Sequence, residues 1–150
     1  MKIEEIGLKG AKVITPSTYD DQRGSFFETF KSTIFKENDL PDNFSQDNQV
    51  RSKKGVLRGL HYQLKKPQGK LVQVVVGSIL DVAVDIRLGS PTFGRYKIIK
   101  LSSENKKIFY IPEGFAHGYL VESDVSIVLY KCTNVYDHKD EHGIKWNGPD

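Results

Sequence analysis

The chain has 150 residues and a formal net charge of +3, with 22 basic and 19 acidic side chains spread along its length. This length fits one domain, residues 1–150, with a core of its own, and so mild a charge gives no argument for binding nucleic acid. No apolar run reaches the length of a membrane span, and with Cys132 as its single cysteine the chain cannot form an internal disulfide. We therefore expect a cytoplasmic domain whose partners include neither nucleic acid nor a membrane.

Apolar residues recur at every second position through most of the chain, which is typical of β-strands. We predict strands at residues 12–15, 24–30, 45–50, 56–63, 71–76, 79–86, 95–101, 107–111, 116–121 and 125–132. Turn residues such as Gly77-Ser78 separate them. One short helix is predicted at 33–39, with Ser32 as its N-cap and Pro41 just beyond its end. Many short strands predict an all-β sandwich or barrel, of which the jelly roll is one form.

The strand predicted at 79–86 has two different faces. Aliphatic residues occupy its even-numbered positions, whereas Asp81 and Asp85 share the odd-numbered face with small or apolar neighbours. Two interpretations of the odd-numbered face remain open, because carboxylates among small residues can face solvent or line a polar cavity.

The stretch from Gly55 to Gln63 is the chemical centre of the sequence. It combines Arg58 and His61 in one predicted strand, and Lys70 stands at the head of the next. Histidine exchanges a proton readily near neutral pH, and fixed cations stabilise the negative charge that a base creates. The grouping indicates proton abstraction beside a carbonyl, although a single histidine in a strand is also common as a purely structural residue.

A second histidine follows a tight turn. Pro112 and Gly114 shape the turn, so that His117 enters a strand at the mouth of any cavity between the sheets. A metal centre needs three or four suitable ligands, and the 56–63 strand offers one histidine, so we predict no metal. His138 and His142 lie in a polar run and are predicted at the surface.

Two tyrosines stand near the end of the last predicted strand. Tyr130 shares a strand face with Ser126 and Val128, while Tyr136 lies in the loop beyond. Each is either a packed aromatic with its hydroxyl at the rim or a functional group. A phenol can return a proton from the face opposite a histidine, and a loop aromatic can stack on a base. Cys132 lacks an activating neighbour and is interpreted as an inert buried residue.

Seven ordered segments resemble one family, the cofactor-independent dTDP-4-dehydrorhamnose 3,5-epimerases of the cupin type. They are residues 21–28, 46–48, 55–63, 69–70, 81–94, 111–118 and 130–136. The resemblance implies an all-β cupin jelly roll (a double-stranded β-helix), no cofactor, and a dTDP-linked 4-keto-6-deoxy sugar as substrate. It also implies a homodimer in which the N-terminal region of one subunit completes the site of its partner.

The same resemblance implies four catalytic positions. His61 is similar to the base that removes the proton beside the ketone, and Tyr130 to the acid that returns a proton to the other face. Lys70, together with Arg58, would hold the developing enolate and the nearby phosphates. Asp81 would form a hydrogen bond with a histidine inside the cavity.

The resemblance further implies a set of substrate-binding residues on several segments. Those for the nucleotide are Arg23, Glu28, Gln46 and Asn48, those for stacking on thymine are Phe26 and Tyr136, and those for further contacts are His117 and Glu141.

Arg58 and His61 are three residues apart, so a regular strand would point them to opposite faces. A joint role therefore predicts a bulge or local twist at Gly59.

The sequence ends at Asp150, before a Leu-Ser-x-Lys-Asp segment whose aspartate pairs with the base histidine in the family. Without that aspartate, no residue assigned so far fixes the tautomer of His61 or supports its imidazolium, unless Asp81 or Asp85 takes its place. Three functions remain open: an epimerase acting at carbon 3, carbon 5 or both, a sugar-nucleotide 3,4-ketoisomerase, and a catalytically silent sugar-nucleotide-binding module.

Overall fold

A computed structural model describes residues 1–148 of the chain. Within that range the backbone forms thirteen strands and one helix. They are β1 (Lys2–Glu5), β2 (Lys12–Thr15), β3 (Thr18–Asp21), β4 (Gly24–Phe27), α1 (Ser32–Glu37), β5 (Gln46–Lys53), β6 (Leu57–Gln63), β7 (Lys70–Val76), β8 (Ser78–Asp85), β9 (Tyr96–Ser102), β10 (Ile108–Ile111), β11 (Phe115–Val121), β12 (Val125–Cys132) and β13 (Glu141–Gly143). The helix has six residues, and no helix in residues 1–148 is long and apolar enough to cross a bilayer.

Two antiparallel sheets make up the body of the fold. The first has six strands in the order β1-β2-β10-β7-β12-β5, and the second has five in the order β13-β6-β11-β8-β9. Strands β3 and β4 form a separate hairpin. Neighbours in sequence are mostly not neighbours in a sheet, since the chain crosses repeatedly between the two layers. This is the jelly-roll arrangement, and the predicted all-β cupin class is confirmed.

The main core lies between the two sheets. The six-stranded sheet contributes Val72 and Val128, and the five-stranded sheet contributes Ile79, Leu101 and Phe115, all in one buried apolar cluster. Side chains alternate along each strand, so one face of each sheet is sealed in this layer while the other stays more open.

Strand β8 settles the question that its alternating sequence left open. Asp81 and Asp85 are both fully buried, together with Ile79 and Ala83, whereas the even-numbered aliphatic residues are only partly covered. The carboxylates therefore face inward, and the interpretation of that face as solvent-exposed is wrong.

Helix α1 covers the outer face of the six-stranded sheet. Phe35 is its fully buried residue and packs with Ile14, Leu40 and Ile108 in a second apolar cluster. The predicted N-cap, Ser32, is wrong. The extended residue before the helix is Lys31, so Ser32 is already helical and no side chain caps the first turn. The helix ends near the predicted position.

The predicted strands at 12–15 and 125–132 match β2 and β12 at both ends, and the other predictions overlap observed strands with shifts at their ends. The strand predicted at 24–30 stops at Phe27. Three strands, β1, β3 and β13, were not predicted. Each has three or four residues, most of them exposed, so each lacks the apolar alternation that marks a half-buried strand.

Candidate active site

A cavity of about 600 Å³ opens between the two sheets, next to the apolar core. The six-stranded sheet contributes residues of β5, β7 and β12 to its lining, and the five-stranded sheet contributes residues of β6, β11 and β13. The site residues predicted from the sequence that line it are His61, Tyr130, Lys70, Gln46, Asn48, Arg58, His117, Tyr136 and Glu141. Nine of the thirteen predicted site residues thus meet in one place.

The predicted irregularity at Gly59 is confirmed. In the pairing of β6 with β11, His61 lies opposite His117 and Arg58 lies opposite Tyr119, so three steps on β6 match two steps on β11. This bulge turns Arg58 and His61 to the same side of the sheet. Gly59 has a φ of +101°, and a Cβ there would lie 2.5 Å from the carbonyl oxygen of His117. The position requires glycine on both counts.

The Arg58 guanidinium is held by a buried hydroxyl. Its Nε donates to Oγ of Ser52 at 3.0 Å, and Ser52 is buried on the inner face of β5. The Tyr119 hydroxyl is buried nearby and has no hydrogen-bond partner among residues 1–148. The burial of Tyr119 raises its pKa, and the charge of Arg58 opposes that rise. Arg58 therefore offers a cation from a fixed position.

Asp81 lies behind His117 rather than in the cavity wall. Its Oδ1 is 2.5 Å from Nε2 of His117, and both side chains are buried. The second oxygen of Asp81, Oδ2, has no partner in the described part of the chain. Of the two histidines in the cavity, His117 is thus the one that Asp81 contacts.

Neither Asp81 nor Asp85 takes the place of the aspartate that supports the base histidine in the family. Asp81 is engaged by His117, because these two lie on adjacent inward-facing strands, and Asp85 binds the guanidinium of Arg87. The carboxylate beside His61 belongs to Glu141, whose Oε1 lies 3.8 Å from Nδ1. Its other oxygen, Oε2, accepts a hydrogen bond of 3.0 Å from the hydroxyl of Tyr136.

Lys70 and Tyr130 face the cavity from neighbouring strands of the six-stranded sheet. Burial lowers the pKa of Lys70, and nearby negative groups only partly oppose this. An ammonium group there is poorly solvated, so a bound anion would stabilise it. Burial also raises the pKa of Tyr130, so its phenol keeps its proton through the neutral range. The first can attract negative charge and the second can donate a proton.

Gln46 and Asn48 form a polar strip on the inner face of β5. Nε2 of Gln46 donates to Oδ1 of Asn48 at 2.9 Å, which orients both amides. Oε1 of Gln46 accepts the backbone N–H of Tyr136 at 2.8 Å. The loop that carries Tyr136 is therefore tied to this strip at the cavity rim.

Three of the predicted site residues are not at the cavity of their own chain. Arg23 and Phe26 lie on the exposed β3–β4 hairpin, and Glu28 follows it. Phe26 is 66% exposed, Arg23 pairs with Asp21, and Glu28 lies 3.6 Å from Lys31. Most of the Phe26 side chain is therefore accessible at the surface of the chain.

Sequence reasoning missed several polar residues of the cavity, chiefly Tyr119, Gln63 and Gln68. The alternation of strands could have found two of them, because Tyr119 lies two residues after His117 and Gln63 two residues after His61. His138 and His142 are exposed and Cys132 is buried, as predicted.

His61 and His117 are register partners, but residues 1–148 contain no group of three or more histidine, cysteine, aspartate or glutamate side chains placed to hold a metal ion.

The fold and the cavity together define a cupin-type jelly-roll protein with a polar cavity lined by histidine, lysine and tyrosine side chains. The sequence model of the dTDP-4-dehydrorhamnose 3,5-epimerases matches residues 5–150. An enzyme of that name from Methanothermobacter thermautotrophicus is 54% identical over 143 residues, which cover 95% of this chain and 77% of the relative. The chain belongs to the dTDP-4-dehydrorhamnose 3,5-epimerase family, whose members are isomerases.

Two solved structures extend the comparison. A dTDP-6-deoxy-D-glucose-3,5-epimerase from Legionella pneumophila, in complex with dTDP-4-keto-L-rhamnose, is 49% identical with a TM-score of 0.94, over 97% of this chain and 78% of that one. A 3′-monoepimerase from Streptomyces bikiniensis, in complex with dTDP-quinovose, is 33% identical with a TM-score of 0.88, over 94% of this chain and 72% of that one.

Proposed function

We propose that the cavity binds a dTDP-linked 4-keto-6-deoxy sugar and inverts it at carbons 3 and 5 without a cofactor. The complex of the Legionella pneumophila relative with dTDP-4-keto-L-rhamnose supports this substrate class. The observation that carries the proposal is the convergence of His61 and Tyr130 on one cavity from facing sheets, with Lys70 on the same sheet as Tyr130 and Arg58 on the same strand as His61.

In the proposed reaction, His61 removes the proton from the carbon beside the ketone. The C–H electron pair forms a C=C double bond with the carbonyl carbon, and the π electrons of the ketone move onto its oxygen. Lys70 and Arg58 stabilise the negative charge of this enolate oxygen. Tyr130 then donates its phenolic proton to the opposite face of the same carbon, and the carbonyl forms again. The configuration is inverted while the overall composition of the sugar is unchanged.

The remaining cavity residues serve binding in this proposal. Gln46 and Asn48 contact the nucleotide, Tyr136 stacks on the thymine, and His117, held by Asp81, contacts the substrate together with Glu141. The support for these roles is that the five contacting side chains line one cavity and that hydrogen bonds fix most of them.

We further propose a homodimer in which the β3–β4 hairpin reaches the cavity of the partner. Arg23 and Glu28 would there contact the nucleotide, and Phe26 would stack on the thymine opposite Tyr136. The support is that these side chains lie away from the cavity of their own chain, and that most of the Phe26 side chain is exposed. We also propose a cytoplasmic location, since a single buried cysteine requires no oxidising compartment.

Deuterium exchange from solvent tests the reaction. The protein is incubated in D₂O with a dTDP-4-keto-6-deoxy sugar, and carbons 3 and 5 are followed by NMR. Label at both carbons is expected. Label at carbon 3 alone would indicate a monoepimerase, which the Streptomyces bikiniensis relative makes the second candidate. Label at carbon 3 with migration of the ketone would indicate a ketoisomerase, and no label a silent binding module.

Two histidine variants control the exchange experiment. His61→Asn removes the base and is expected to abolish labelling above the rate without protein. His138→Asn changes an exposed histidine that does not line the cavity and is expected to label like the parent. Equal labelling by both variants would contradict the role of His61.

A further inference from the structure

Asp140 is a buried carboxylate that binds one loop. Its Oδ2 accepts the backbone N–H groups of Lys65 and Lys66 at 2.9 Å, and its Oδ1 accepts those of Leu64 and Lys65 at 3.3 and 3.1 Å. The side chain is 4% exposed. Burial acts to raise the pKa of Asp140, but the three backbone donors outweigh it and the pKa is lowered overall. The carboxylate is therefore ionised near neutral pH and holds the loop by charge-assisted hydrogen bonds.

The two chain segments that Asp140 joins both lead into the cavity. The loop at 64–66 directly follows β6, which carries His61, and β13 begins with Glu141 directly after Asp140. Strand β13 pairs with β6, with Glu141 opposite Gln63 and Gly143 opposite His61. A strand of three exposed residues holds its register weakly by pairing alone. The Asp140 contacts add an anchor directly before the first residue of β13.

Gln63 supplies a second connection at the same place. Its Nε2 donates to the carbonyl oxygen of Lys66 at 2.7 Å, and its Oε1 accepts the N–H of Asp137 at 3.0 Å. Gln63 is buried. The segment between Tyr136 and Asp140 is thus fastened at both ends to the end of β6.

We propose that Asp140 is a positioning residue of this site. It holds β13 in register with β6, so that the Glu141 carboxylate lies between the His61 imidazole and the Tyr136 hydroxyl. The inference rests on the proposed function of His61 as the base. A carboxylate beside Nδ1 favours the tautomer with the proton on Nδ1, which leaves Nε2 free to accept a proton from the substrate.

A double-mutant cycle tests this role. Asp140→Asn places an amide N–H₂ group where a backbone donor needs an acceptor, and Glu141→Gln removes the charge that faces His61. We expect each variant to lower kcat by about tenfold, because the pair of Glu141 and His61 is long and partly exposed and so contributes less than a buried carboxylate bonded directly to a catalytic histidine. In Asp140→Asn, KM should change less than kcat, since Glu141 is still present and Tyr136 remains anchored through Gln46.

The double variant decides whether the two residues act as one unit. If Asp140 acts through Glu141, Asp140→Asn combined with Glu141→Gln will be no slower than Glu141→Gln alone. Effects on kcat that multiply, or an unchanged kcat in Asp140→Asn, would overturn the proposal. Thr92→Val is the matched control, because it removes a buried 2.6 Å hydrogen bond to Asp85 in a loop that does not line the cavity. It should lower the melting temperature and leave kcat unchanged.

The tautomer of His61 gives a readout that does not need turnover. In protein labelled with ¹⁵N on histidine, the ring nitrogens of His61 should show a majority of the Nδ1–H form in the parent. Asp140→Asn should shift that population in the same direction as Glu141→Gln. An inactive parent with this tautomer shift would refute the proposed reaction and leave the positioning role supported, whereas an active parent whose tautomer does not respond to Asp140→Asn would refute the positioning role alone.

Discussion

The Asp81 carboxylate and the His117 imidazole form a buried pair, with Oδ1 of one 2.5 Å from Nε2 of the other. They lie on the adjacent strands β8 and β11, two residues out of direct register, since Asp81 is opposite Tyr119 and His117 is opposite Ala83. The pair links the wall of the cavity to the interior of the domain. The second oxygen of Asp81 lies buried without a partner among residues 1–148.

Loss of one member of this pair should lower the stability of the fold substantially. We expect His117→Ala to lower the free energy of unfolding by about 3–5 kcal/mol, because it leaves the Asp81 carboxylate buried and unpaired. Urea unfolding measures the change. His142→Ala is the control, since His142 is exposed and should cost at most about 0.5 kcal/mol. Equal losses in the two variants would contradict the importance of the pair.

Two glycines with positive φ allow the effect of backbone strain on stability to be compared with the effect of steric overlap. Gly59 and Gly55 both have positive φ, but a Cβ at Gly55 would meet nothing within 4 Å, whereas one at Gly59 would collide with β11. We expect Gly55→Ala to cost about 1 kcal/mol of stability and to keep activity. Gly59→Ala should cost about 3 kcal/mol or more and remove most of the activity, because Arg58 and His61 lose their common direction. Unfolding curves and turnover rates would measure both effects, and similar behaviour of the two variants would contradict this account.

Tyr130 offers a test of the order of proton transfers. Tyr130→Phe removes the proton donor and leaves the base, so solvent deuterium should still enter the sugar while net inversion falls by about 10²-fold. Because burial raises the pKa of Tyr130, the phenol of the parent should remain a competent donor above pH 9. NMR of exchange and of product in the same sample measures the ratio. Equal loss of exchange and inversion would indicate that Tyr130 is not the donor.

The lowered pKa of Asp85 predicts how the stability of the protein depends on pH. This buried carboxylate accepts hydrogen bonds from Arg87, Ser90 and Thr92, and although burial alone would raise its pKa, these bonds lower it well below the usual range. The unfolded chain therefore binds the proton more readily, so the contribution of Asp85 is complete above about pH 4 and declines as the pH falls below that value.

The corresponding variant makes this prediction measurable. Asp85→Asn should lower the free energy of unfolding by about 3 kcal/mol at pH 7, because Arg87 loses its partner. The difference from the parent should shrink between about pH 4 and pH 2. Urea unfolding at several pH values checks the trend. A difference that stays constant over this range would contradict the lowered pKa of Asp85.

The proposed exchange of hairpins between subunits predicts complementation. Arg23→Ala damages the hairpin, and His61→Asn damages the cavity, so each homodimer should be nearly inactive. When the two variants are unfolded and refolded together, mixed dimers contain one intact site, and about a quarter of the parental activity should return. Activity that stays at the sum of the separate variants would contradict the shared site. A mixture of His61→Asn and Tyr130→Phe, which both damage the cavity, is the control and should regain nothing.

The alternation of apolar residues was enough to predict most strands of the two sheets, since these have one sealed face, but not the short and exposed β1 and β13. It could not decide which face of β8 is sealed, because Ile79 and Ala83 resemble their neighbours and the partner of Asp81 is far away in the sequence. His117 lies 36 residues from Asp81, so no local sequence pattern predicts that pair.

The cavity was predictable where the chemistry is concentrated in short segments, as with His61, Lys70 and Tyr130. The contact between His61 and Glu141 could not be predicted in this way. Glu141 reaches His61 through a three-residue strand with no alternation to reveal it, and the anchor of that strand, Asp140, binds backbone groups about 75 residues earlier. Such contacts depend on the completed fold rather than on local preference.

The extra residue at Gly59 reverses the phase of side chains along β6. The even-numbered Arg58 before Gly59 and the odd-numbered His61 after it both face the cavity. Deleting one residue at this point would restore a regular ladder, yet it would exchange inward and outward side chains over half of the strand. Related sequences should therefore tolerate changes of residue type in β6 far more readily than changes of its length, and any insertion or deletion there would mark a member with different chemistry.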